Sequence, residues 1–264
     1  MLLKDKIVIV SGIGPGLGVK LAVEAAREGA RGVVLSARTA SKLENAEQRI
    51  RALNGDCEVL KQSTDITDRK QCDDLVEAAR SRFGRIDALV NSAFNHGDMD
   101  HASTASVDDW RGSQLETNLL GTLKMTQAAI PCMREQGGGA VVMINTMAVR
   151  NVSPVGEAGY AASKSALATA AKYLATELGP DRIRVNTVYM GWMWGAPVEG
   201  YMNWQSEQSG VPVEELKQQI ADTIPLRRIP PDEECARAAL FLVSDYASVV
   251  TGAALDVNGG HYMP

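Results

Sequence analysis

Short runs of β-branched and other apolar residues alternate with longer helical patterns along the whole chain. This alternation constrains the fold most, because parallel strands need a crossover between them that is usually a helix. The apolar runs predict seven strands, at residues 7–10, 33–35, 58–60, 86–90, 140–144, 183–188 and 254–257. We therefore expect an α/β fold with a single domain over residues 1–264, in which a doubly wound sheet of seven parallel strands has helices on both faces.

The helical patterns have recognisable start and stop residues. We predict helices at residues 17–28, 41–53, 68–83, 106–133, 159–178 and 232–243. Ser106 and Asp109 form a capping box at the start of the longest one, and Gly179-Pro180 ends the next. Only residues 191–225 are predicted to be irregular over a long stretch, and such stretches are commonly lids or binding segments. A substrate lid is therefore expected at about residues 192–224.

Composition disfavours several classes of protein. The chain has 264 residues and a net charge of −5, with no block of Lys and Arg, so neither a nucleic-acid nor a membrane partner is expected. No apolar stretch approaches the roughly 18 residues of a membrane span. The four cysteines form no C-x-x-C pair or zinc-ligand pattern, which indicates free thiols in a reducing compartment and no metal site. Because its first residues show no signal-peptide pattern, the protein is expected to be cytoplasmic.

A glycine-rich turn joins the first predicted strand to the first predicted helix. Ligands of open α/β sheets bind where strands end, and glycines let the backbone approach a pyrophosphate at a helix N-terminus. The spacing is G-x-x-x-G-x-G rather than G-x-G-x-x-G, and the alternative is a tight turn that needs glycine only for its dihedrals. We predict that the turn binds a dinucleotide through Ser11, Gly12, Gly14, Pro15, Gly16, Leu17 and Gly18.

The residues after the second predicted strand bear on the choice of cofactor. An NAD site usually has Asp or Glu here, which binds the ribose hydroxyls. This chain has Ala37, Arg38 and Thr39 instead, and a guanidinium can pair with a 2′-phosphate by charge-assisted hydrogen bonds. NADP(H) is therefore the preferred cofactor, with Arg38 and Thr39 as binding residues and NAD(H) as the alternative. An Arg38 that is merely solvated at a helix start would not select between them.

Tyr160 and Lys164 lie one turn apart on the same face of a predicted helix. A free phenol titrates at about pH 10, too high for an efficient acid or base at neutral pH. A nearby ammonium favours the phenolate, so Lys164 would make Tyr160 a better proton acceptor and donor. Any helix can contain such a pair by chance, so the pair indicates a catalytic site only together with the glycine-rich turn.

The turn and this pair together resemble the short-chain dehydrogenase/reductase family, over nearly the whole chain. The similarity extends to the short motifs Asp65-Ile66, Asn91-Ser92-Ala93, Thr251-Gly252 and Asn258-Gly259-Gly260. The resemblance implies a Rossmann fold with a cofactor site that includes Asp65 and Ile66 at the adenine, together with Asn91, Ser92, Ala93 and Gly191. It also implies a homotetramer, or a homodimer, built from the two long helices and the C-terminal strand region.

The resemblance assigns roles to four side chains. Tyr160 exchanges the proton of the carbonyl or alcohol, and Lys164 also binds the nicotinamide ribose. Asn118 supports a water relay to the lysine, and the alternative is an exposed polar residue on a helix. Thr146 is expected to orient the substrate oxygen where the family usually has serine, with Ser153 as a weaker candidate.

Several residues near the expected reaction site are unusual. Phe94 replaces a glycine of the family, and Met190 replaces a proline before Gly191. Three of the four tryptophans lie within residues 192–204, which indicates an apolar lid over a bulky hydrophobic or aromatic substrate or, equally, a packed subdomain or subunit contact. The candidate substrate-binding residues are Phe94, Met147, Tyr189, Trp192, Trp194, Tyr201 and Trp204. His96, His101 and His261 form no ligand cluster and are expected at the surface or the rim.

These observations predict an NADP(H)-dependent alcohol dehydrogenase or ketone reductase. An NAD-dependent secondary-alcohol dehydrogenase of the same family is the alternative. Enoyl reduction is disfavoured, because related members that perform it place the tyrosine and the lysine further apart. A different class also stays open, a catalytically impaired cofactor-binding scaffold or redox sensor, which the altered Ser, Gly and Pro positions suggest.

Overall fold

Seven parallel strands form one sheet in the order β3-β2-β1-β4-β5-β6-β7. The computed structural model of the protein describes residues 1–99, 101–152 and 156–264. The strands are β1 (Ile7–Ser11), β2 (Gly32–Ala37), β3 (Glu58–Ser63), β4 (Ala88–Asn91), β5 (Gly139–Thr146), β6 (Ile183–Met190) and β7 (Ala254–Val257). The predicted doubly wound, parallel α/β sheet is confirmed, and each predicted strand is present with its ends moved by a few residues at most.

Helices cover both faces of this sheet. The described residues contain α1 (Leu17–Arg27), α2 (Ala40–Arg51), α3 (Arg69–Phe83), α4 (Val107–Asp109), α5 (Thr122–Glu135), α6 (Ala158–Leu178), α7 (Ala196–Ser209), α8 (Val213–Thr223) and α9 (Asp232–Val243). Val8 and Val10 of β1 pack in a cluster with α1, α2 and α9, while Ile7 and Ile9 pack in a second cluster with α3, α5 and α6. This alternation buries β1 between two helical layers. Among the described helices, none has the length and apolar character to cross a membrane.

The order of the strands reverses between β1 and β4. From β1 the chain first adds β2 and β3 on one side, and then β4 to β7 on the other. At the carboxyl ends, Ser11 of β1 is in register with Asn91 of β4. In open α/β sheets, the loops that leave such a pair of strands diverge and open a crevice in which ligands bind.

Residues 191–225 contain two helices, α7 and α8, so the prediction of a long irregular segment is wrong. The residue before α7, Gly195, has extended backbone; Pro197 lies in the first turn, and Gly210 follows the last turn with a φ of 72°. These are ordinary helix-end signals. Of the residues between them only Met202 is buried. Because the helix has no continuous apolar face, apolar periodicity did not reveal it.

The longest predicted helix contains an uncommon conformation. Its start is capped as predicted, since the Ser106 hydroxyl accepts a hydrogen bond from the Asp109 N–H at 3.3 Å. The stretch Trp110–Gly121 then forms a π-helical segment between α4 and α5. Such segments are rare and are frequent at functional sites. This one includes Asn118.

Candidate active site

The glycine-rich turn after β1 lies directly against the end of β4. A Cβ at Gly12, where φ is 104°, would collide with the backbone nitrogen of Ala93, so no larger residue fits there. The Gly12 N–H donates to the Ser36 carbonyl at 2.8 Å, which fixes the turn on β2. Gly14 faces open space. Among the described residues no side chain caps α1 at Gly16, so the N–H groups of its first turn suit a pyrophosphate.

The predicted lid touches this turn. A Cβ at Gly16 would lie 3.0 Å from Cγ of Pro197 in the first turn of α7, and 3.5 Å from Oδ2 of Asp232 at the start of α9. The other residues of the turn differ in exposure: Pro15 is exposed, whereas Leu17 and Gly18 are buried. The glycine-rich turn and the predicted lid segment are therefore neighbours in the fold.

Arg38 and Thr39 lie exposed where β2 ends. The Ser63 hydroxyl donates to the Arg38 carbonyl at 3.0 Å, which fixes the backbone at this point. The Arg38 guanidinium forms no ion pair with any residue that the structure describes. It is therefore a cation available to a ligand at the edge of the crevice.

Asp65 and Ile66 begin the loop after β3. One carboxylate oxygen of Asp65 accepts hydrogen bonds from the N–H and the hydroxyl of Thr67, at 2.9 and 2.8 Å. The side chain therefore closes a tight turn. Ile66 is buried, and a Cβ at Gly121 of the π-helical segment would lie 2.9 Å from its Cγ1. Both residues thus shape the edge of the crevice next to β2.

Asn91, Ser92 and Ala93 join the end of β4 to the glycine-rich turn. The Ser92 N–H donates to the Ser11 carbonyl at 2.7 Å. The buried Asn91 amide donates to the Thr126 hydroxyl of α5 at 3.0 Å. The Ser11 hydroxyl is buried and has no hydrogen-bond partner among the described residues. It is therefore a polar group that a ligand in the crevice can satisfy.

Tyr160, Thr146 and Lys164 converge where β5 ends. Tyr160 lies in the first turn of α6, and its phenol lies beside the hydroxyl of Thr146, the last residue of β5. Lys164 follows one turn later; its Nζ lies 6.0 Å from the centroid of the Tyr160 ring and donates to the Ile144 carbonyl at 2.8 Å. The structure thus brings three of the predicted catalytic side chains together. Ser153, the weaker candidate, lies outside the described residues.

Asn145, which no sequence motif indicated as a site residue, fixes Thr146 relative to α6. Its Nδ2 donates to the Lys164 carbonyl at 2.9 Å, and its Oδ1 accepts from the Thr146 N–H at 2.8 Å. The side chain is 2% exposed. The available signal was an amide directly after an apolar strand, where a buried polar group must find hydrogen-bond partners.

Burial changes the protonation of both members of the Tyr160–Lys164 pair. It lowers the pKa of Lys164 to about 7, because an ammonium is disfavoured once water is removed. Burial also raises the pKa of the Tyr160 phenol, and the carboxylate of Glu157 raises it further. The neighbouring Thr146 hydroxyl lowers this pKa. Thr146 rather than the Lys164 ammonium therefore opposes the effect of burial on the phenol.

Asn118 is fully buried and connects the loop after β4 to α6. Its Oδ1 accepts from the Asn95 N–H at 2.7 Å. Its Nδ2 donates to the Asn95 carbonyl at 2.8 Å and to the Ser163 hydroxyl at 2.9 Å. Ser163 in turn donates to the Tyr160 carbonyl at 2.7 Å. Asn118 is therefore not an exposed polar residue, and it holds the first turn of α6 through Ser163.

The loop after β4 places two aromatic side chains against Tyr160. The His96 ring stacks on the phenol ring, with centroids 4.7 Å apart and 25° between the planes. The Phe94 ring lies 6.0 Å away at 53° and is 55% exposed. Nε2 of His96 lies 3.4 Å from Oε2 of Glu157. His96 thus contacts the central residue of the site, and nothing in the spacing of the three histidines indicated this.

Three aromatic residues of the lid form a row of rings. The centroids of Trp192 and Tyr201 lie 6.2 Å apart, and those of Tyr201 and Trp204 lie 6.1 Å apart. Trp204 is 56% exposed. Trp194 has a different environment, since its ring centroid lies 4.1 Å from Nζ of Lys217 on α8 and its backbone pairs with Pro231. Trp194 therefore joins the lid to the start of α9.

The remaining candidates lie at the ends of β5 and β6. Tyr189 is buried beneath the Arg150 guanidinium, which lies 4.2 Å from the ring centroid and pairs with a carboxylate of β7. Met147 is half-buried in a short 3₁₀ turn after β5. The Gly191 N–H donates to a carbonyl of β7 at 3.1 Å. Of the predicted substrate-binding residues, Phe94 is the one whose ring lies against Tyr160.

Known proteins resemble this chain over almost its full length. A family model described as Enoyl-(Acyl carrier protein) reductase matches residues 12–262. Levodione reductase of Leifsonia aquatica is 30% identical over 97% of this chain and 94% of its own length. A 3alpha-hydroxysteroid dehydrogenase of Mediterraneibacter gnavus is 32% identical over 98% of both chains. The crystal structure of L-sorbose reductase from Gluconobacter frateurii, complexed with NADPH and L-sorbose, is 29% identical, covers 99% of this chain and 98% of its own, and gives a TM-score of 0.91.

These similarities agree with three features of the structure. The sheet has its switch point between β1 and β4, the glycine-rich turn leaves β1 at this point, and Tyr160 and Lys164 lie one turn apart on α6. The chain therefore belongs to the short-chain dehydrogenase/reductase family, whose members are nicotinamide-dependent oxidoreductases.

Proposed function

We propose that this protein interconverts a ketone and a secondary alcohol on a bulky hydrophobic or aromatic substrate, with NADP(H) as the preferred cofactor. The observation that supports this best is the position of the Tyr160 phenol beside the Thr146 hydroxyl and one helical turn from the buried Lys164. All three side chains lie at the end of β5, at the same edge of the sheet as the glycine-rich turn.

The residues of the crevice fit a dinucleotide. Gly12 allows close approach to the backbone, the start of α1 offers N–H donors, and the buried Ser11 hydroxyl has an unused hydrogen-bonding capacity among the described residues. When bound, the nicotinamide cofactor supplies or accepts the hydride. Side chains of this protein would transfer the proton and orient the substrate oxygen.

Proton transfer falls to Tyr160. In reduction, the phenol gives its proton to the carbonyl oxygen while the Thr146 hydroxyl donates a hydrogen bond to the same oxygen. Burial keeps the phenol protonated, which suits this direction. Because the pKa of Lys164 is lowered to about 7, this side chain both gains and loses a proton near neutral pH and can restore the proton of Tyr160. Asn118 supports this resupply by holding the first turn of α6.

Arg38 supports the preference for NADP(H). It is a guanidinium at the end of β2, exposed and without an ion pair among the described residues. A 2′-phosphate there would gain charge-assisted hydrogen bonds from it. The absence of a carboxylate at Ala37 removes the usual partner of the ribose hydroxyls of NAD(H).

Exposed apolar rings near the site support a bulky apolar substrate. Phe94 and Trp204 are 55% and 56% exposed. Such large exposed rings next to a crevice are typical of a surface that a ligand covers. Met147 follows β5, and the rings of Trp192 and Tyr201 continue the row that ends at Trp204.

A turnover assay with both cofactors tests the proposal. The panel contains hydrophobic ketones, the matching secondary alcohols and one enoyl thioester, because the matching family model is described as an enoyl reductase. We expect turnover of a ketone or alcohol with NADP(H), and its loss in Tyr160→Phe with cofactor binding retained. Reduction of the enoyl thioester alone would replace the proposed reaction by enoyl reduction. Cofactor binding without any turnover would favour a scaffold or sensor.

A further inference from the structure

We propose that His96 and Glu157 are positioning residues that together set the protonation of Tyr160. The inference rests on the proposed redox role of Tyr160. The imidazole stacks on the phenol ring with centroids 4.7 Å apart. Its Nε2 lies 3.4 Å from the Glu157 carboxylate. A titratable pair therefore contacts the residue that exchanges the proton with the substrate.

The loop fixes the position of this stack, because hydrogen bonds hold the backbone of Asn95 and His96. The two hydrogen bonds between Asn118 and the Asn95 backbone fix the preceding residue. The His96 carbonyl accepts from Nε2 of Gln114 at 3.3 Å. The following residue, Gly97, has a φ of 70°, and a Cβ there would collide with Gln114. The loop thus presents the imidazole to the phenol in one defined position.

The negative charge of Glu157 acts on the Tyr160 phenol. This residue immediately precedes α6, its side chain is mostly buried, and its carboxylate raises the pKa of Tyr160. Away from bulk water such a charge acts more strongly than at the surface. The His96 imidazole, with Nε2 3.4 Å from that carboxylate, is the polar group that offsets its effect on the phenol.

The other described groups around the phenol do not contact the Glu157 carboxylate. Among the described residues, Thr146 of β5 offers a neutral hydroxyl, and Lys164 of α6 is the remaining titratable group. The Lys164 ammonium donates to the Ile144 carbonyl rather than to the phenol. Among the described side chains, the His96 imidazole is the basic group that pairs with the Glu157 carboxylate.

The proposal predicts that two single variants shift the pKa of the Tyr160 phenol in opposite directions. Without the Glu157 carboxylate, the phenolate forms more readily, which favours alcohol oxidation at lower pH. Without the His96 imidazole, the carboxylate loses the polar group that lies against it, so the phenolate forms less readily. A merely structural role would not separate the variants in this way, because loosened packing disturbs the site in the same direction in both.

The experiment compares Glu157→Gln, His96→Gln and the double variant with the parent enzyme. The measured quantity is the pH dependence of kcat/KM for alcohol oxidation. We expect the acidic limb to move to lower pH in Glu157→Gln and to higher pH in His96→Gln, by about half a unit or more, or roughly threefold in rate below the midpoint. The double variant should follow Glu157→Gln. The controls are His101→Gln and Glu207→Gln, which change exposed residues and should leave the profile unchanged.

A second readout does not need turnover. A 3,5-difluorotyrosine placed at position 160 has a lower pKa than tyrosine, and the ¹⁹F chemical shift of its ring reports ionisation of the phenol in each background. Opposite shifts of this titration would support the pair even if no substrate is turned over, in which case only the proposed function fails. Equal midpoints in all backgrounds, or shifts of the same sign in variants that melt like the parent, would overturn the inference. His96→Asn provides a second variant if His96→Gln does not fold.

Discussion

The Thr146 hydroxyl lies beside the Tyr160 phenol and lowers the pKa that burial and Glu157 raise. The hydroxyl is positioned by Asn145, which accepts from the Thr146 N–H at 2.8 Å and reaches α6 through the Lys164 carbonyl. A threonine thus stands beside the phenol at the position where the resemblance to the family leads one to expect serine. Its β-branched side chain restricts the rotamers of the hydroxyl.

Replacing Thr146 by valine should lower kcat by about 100-fold, because the substrate oxygen loses a positioned hydrogen-bond donor. Thr146→Ser keeps the hydroxyl and should retain most of the activity. Steady-state kinetics of both variants provide the comparison. If Thr146→Val kept the parental kcat, another group would have to orient the substrate.

Lys164→Met should stabilise the fold at neutral pH while it abolishes turnover. The pKa of Lys164 falls from 10.5 to about 7 on folding. Between these values the unfolded chain binds more protons than the folded one, so the contribution of Lys164 to the free energy of unfolding rises with pH. The penalty is complete below about pH 7 and absent above about pH 10.5.

Denaturant unfolding of parent and Lys164→Met at several pH values measures this difference. At pH 6 to 7 we expect the variant to be more stable by on the order of 2–4 kcal/mol, after loss of the hydrogen bond to Ile144. The gap should close as the pH approaches 10. A constant difference across this range would show that Lys164 is charged in the folded protein.

Arg38→Ala should weaken NADP(H) binding by about 10- to 100-fold, because a charge-assisted hydrogen bond contributes roughly 1.5–3 kcal/mol. Binding of NAD(H) should be unchanged. Dissociation constants for both cofactors are the measurement, and Arg49→Ala, an exposed arginine further along α2, is the matched control. Tight NAD(H) binding in the parent that is unaffected by Arg38→Ala would remove the basis for a 2′-phosphate site.

Trp204→Ala should raise KM for bulky apolar substrates several-fold and leave small ketones almost unaffected. The ring is 56% exposed at the end of the row that includes Trp192 and Tyr201, so a large substrate would bury it. Kinetics with a homologous series of ketones test this. The same loss for small and large substrates would indicate that the row is packing within the lid rather than a binding surface.

The subunit arrangement provides a further prediction. We propose a homotetramer with interfaces on α6, where Tyr173 is 68% exposed, and on the edge strand β7, where Leu255 is partly exposed. Tyr173→Arg should disrupt the first interface and reduce the mass measured by light scattering. A monomeric parent protein at assay concentration would contradict the assignment.

Strands and helices with strong local patterns were predictable from the sequence. The limits of α9 and β7 agree with the prediction residue for residue. Both faces of the central strands are buried, which leaves an uninterrupted apolar run in the sequence. Gly84, with a φ of 78°, ends α3 as predicted, because glycine adopts this conformation at little cost.

Features that depend on tertiary contacts were not predictable. α7 has one buried residue and therefore no apolar period. His96 acquires its place through the clamp that Asn118 forms on Asn95, and no local pattern encodes a contact between residues so far apart in the chain. Asn145 is similar, because its partners on α6 become neighbours only after β5 has joined the sheet.

The π-helical segment Trp110–Gly121 makes the number of residues in this stretch important, and not only their types. Removing one residue would allow an ordinary α-helix to form, and each residue of an α-helix advances the side-chain direction by about 100°. The amide of Asn118 would then turn away from Asn95 and Ser163, even though both of these residues would still be present. Indels that most helix ends tolerate should therefore inactivate the enzyme here without unfolding it.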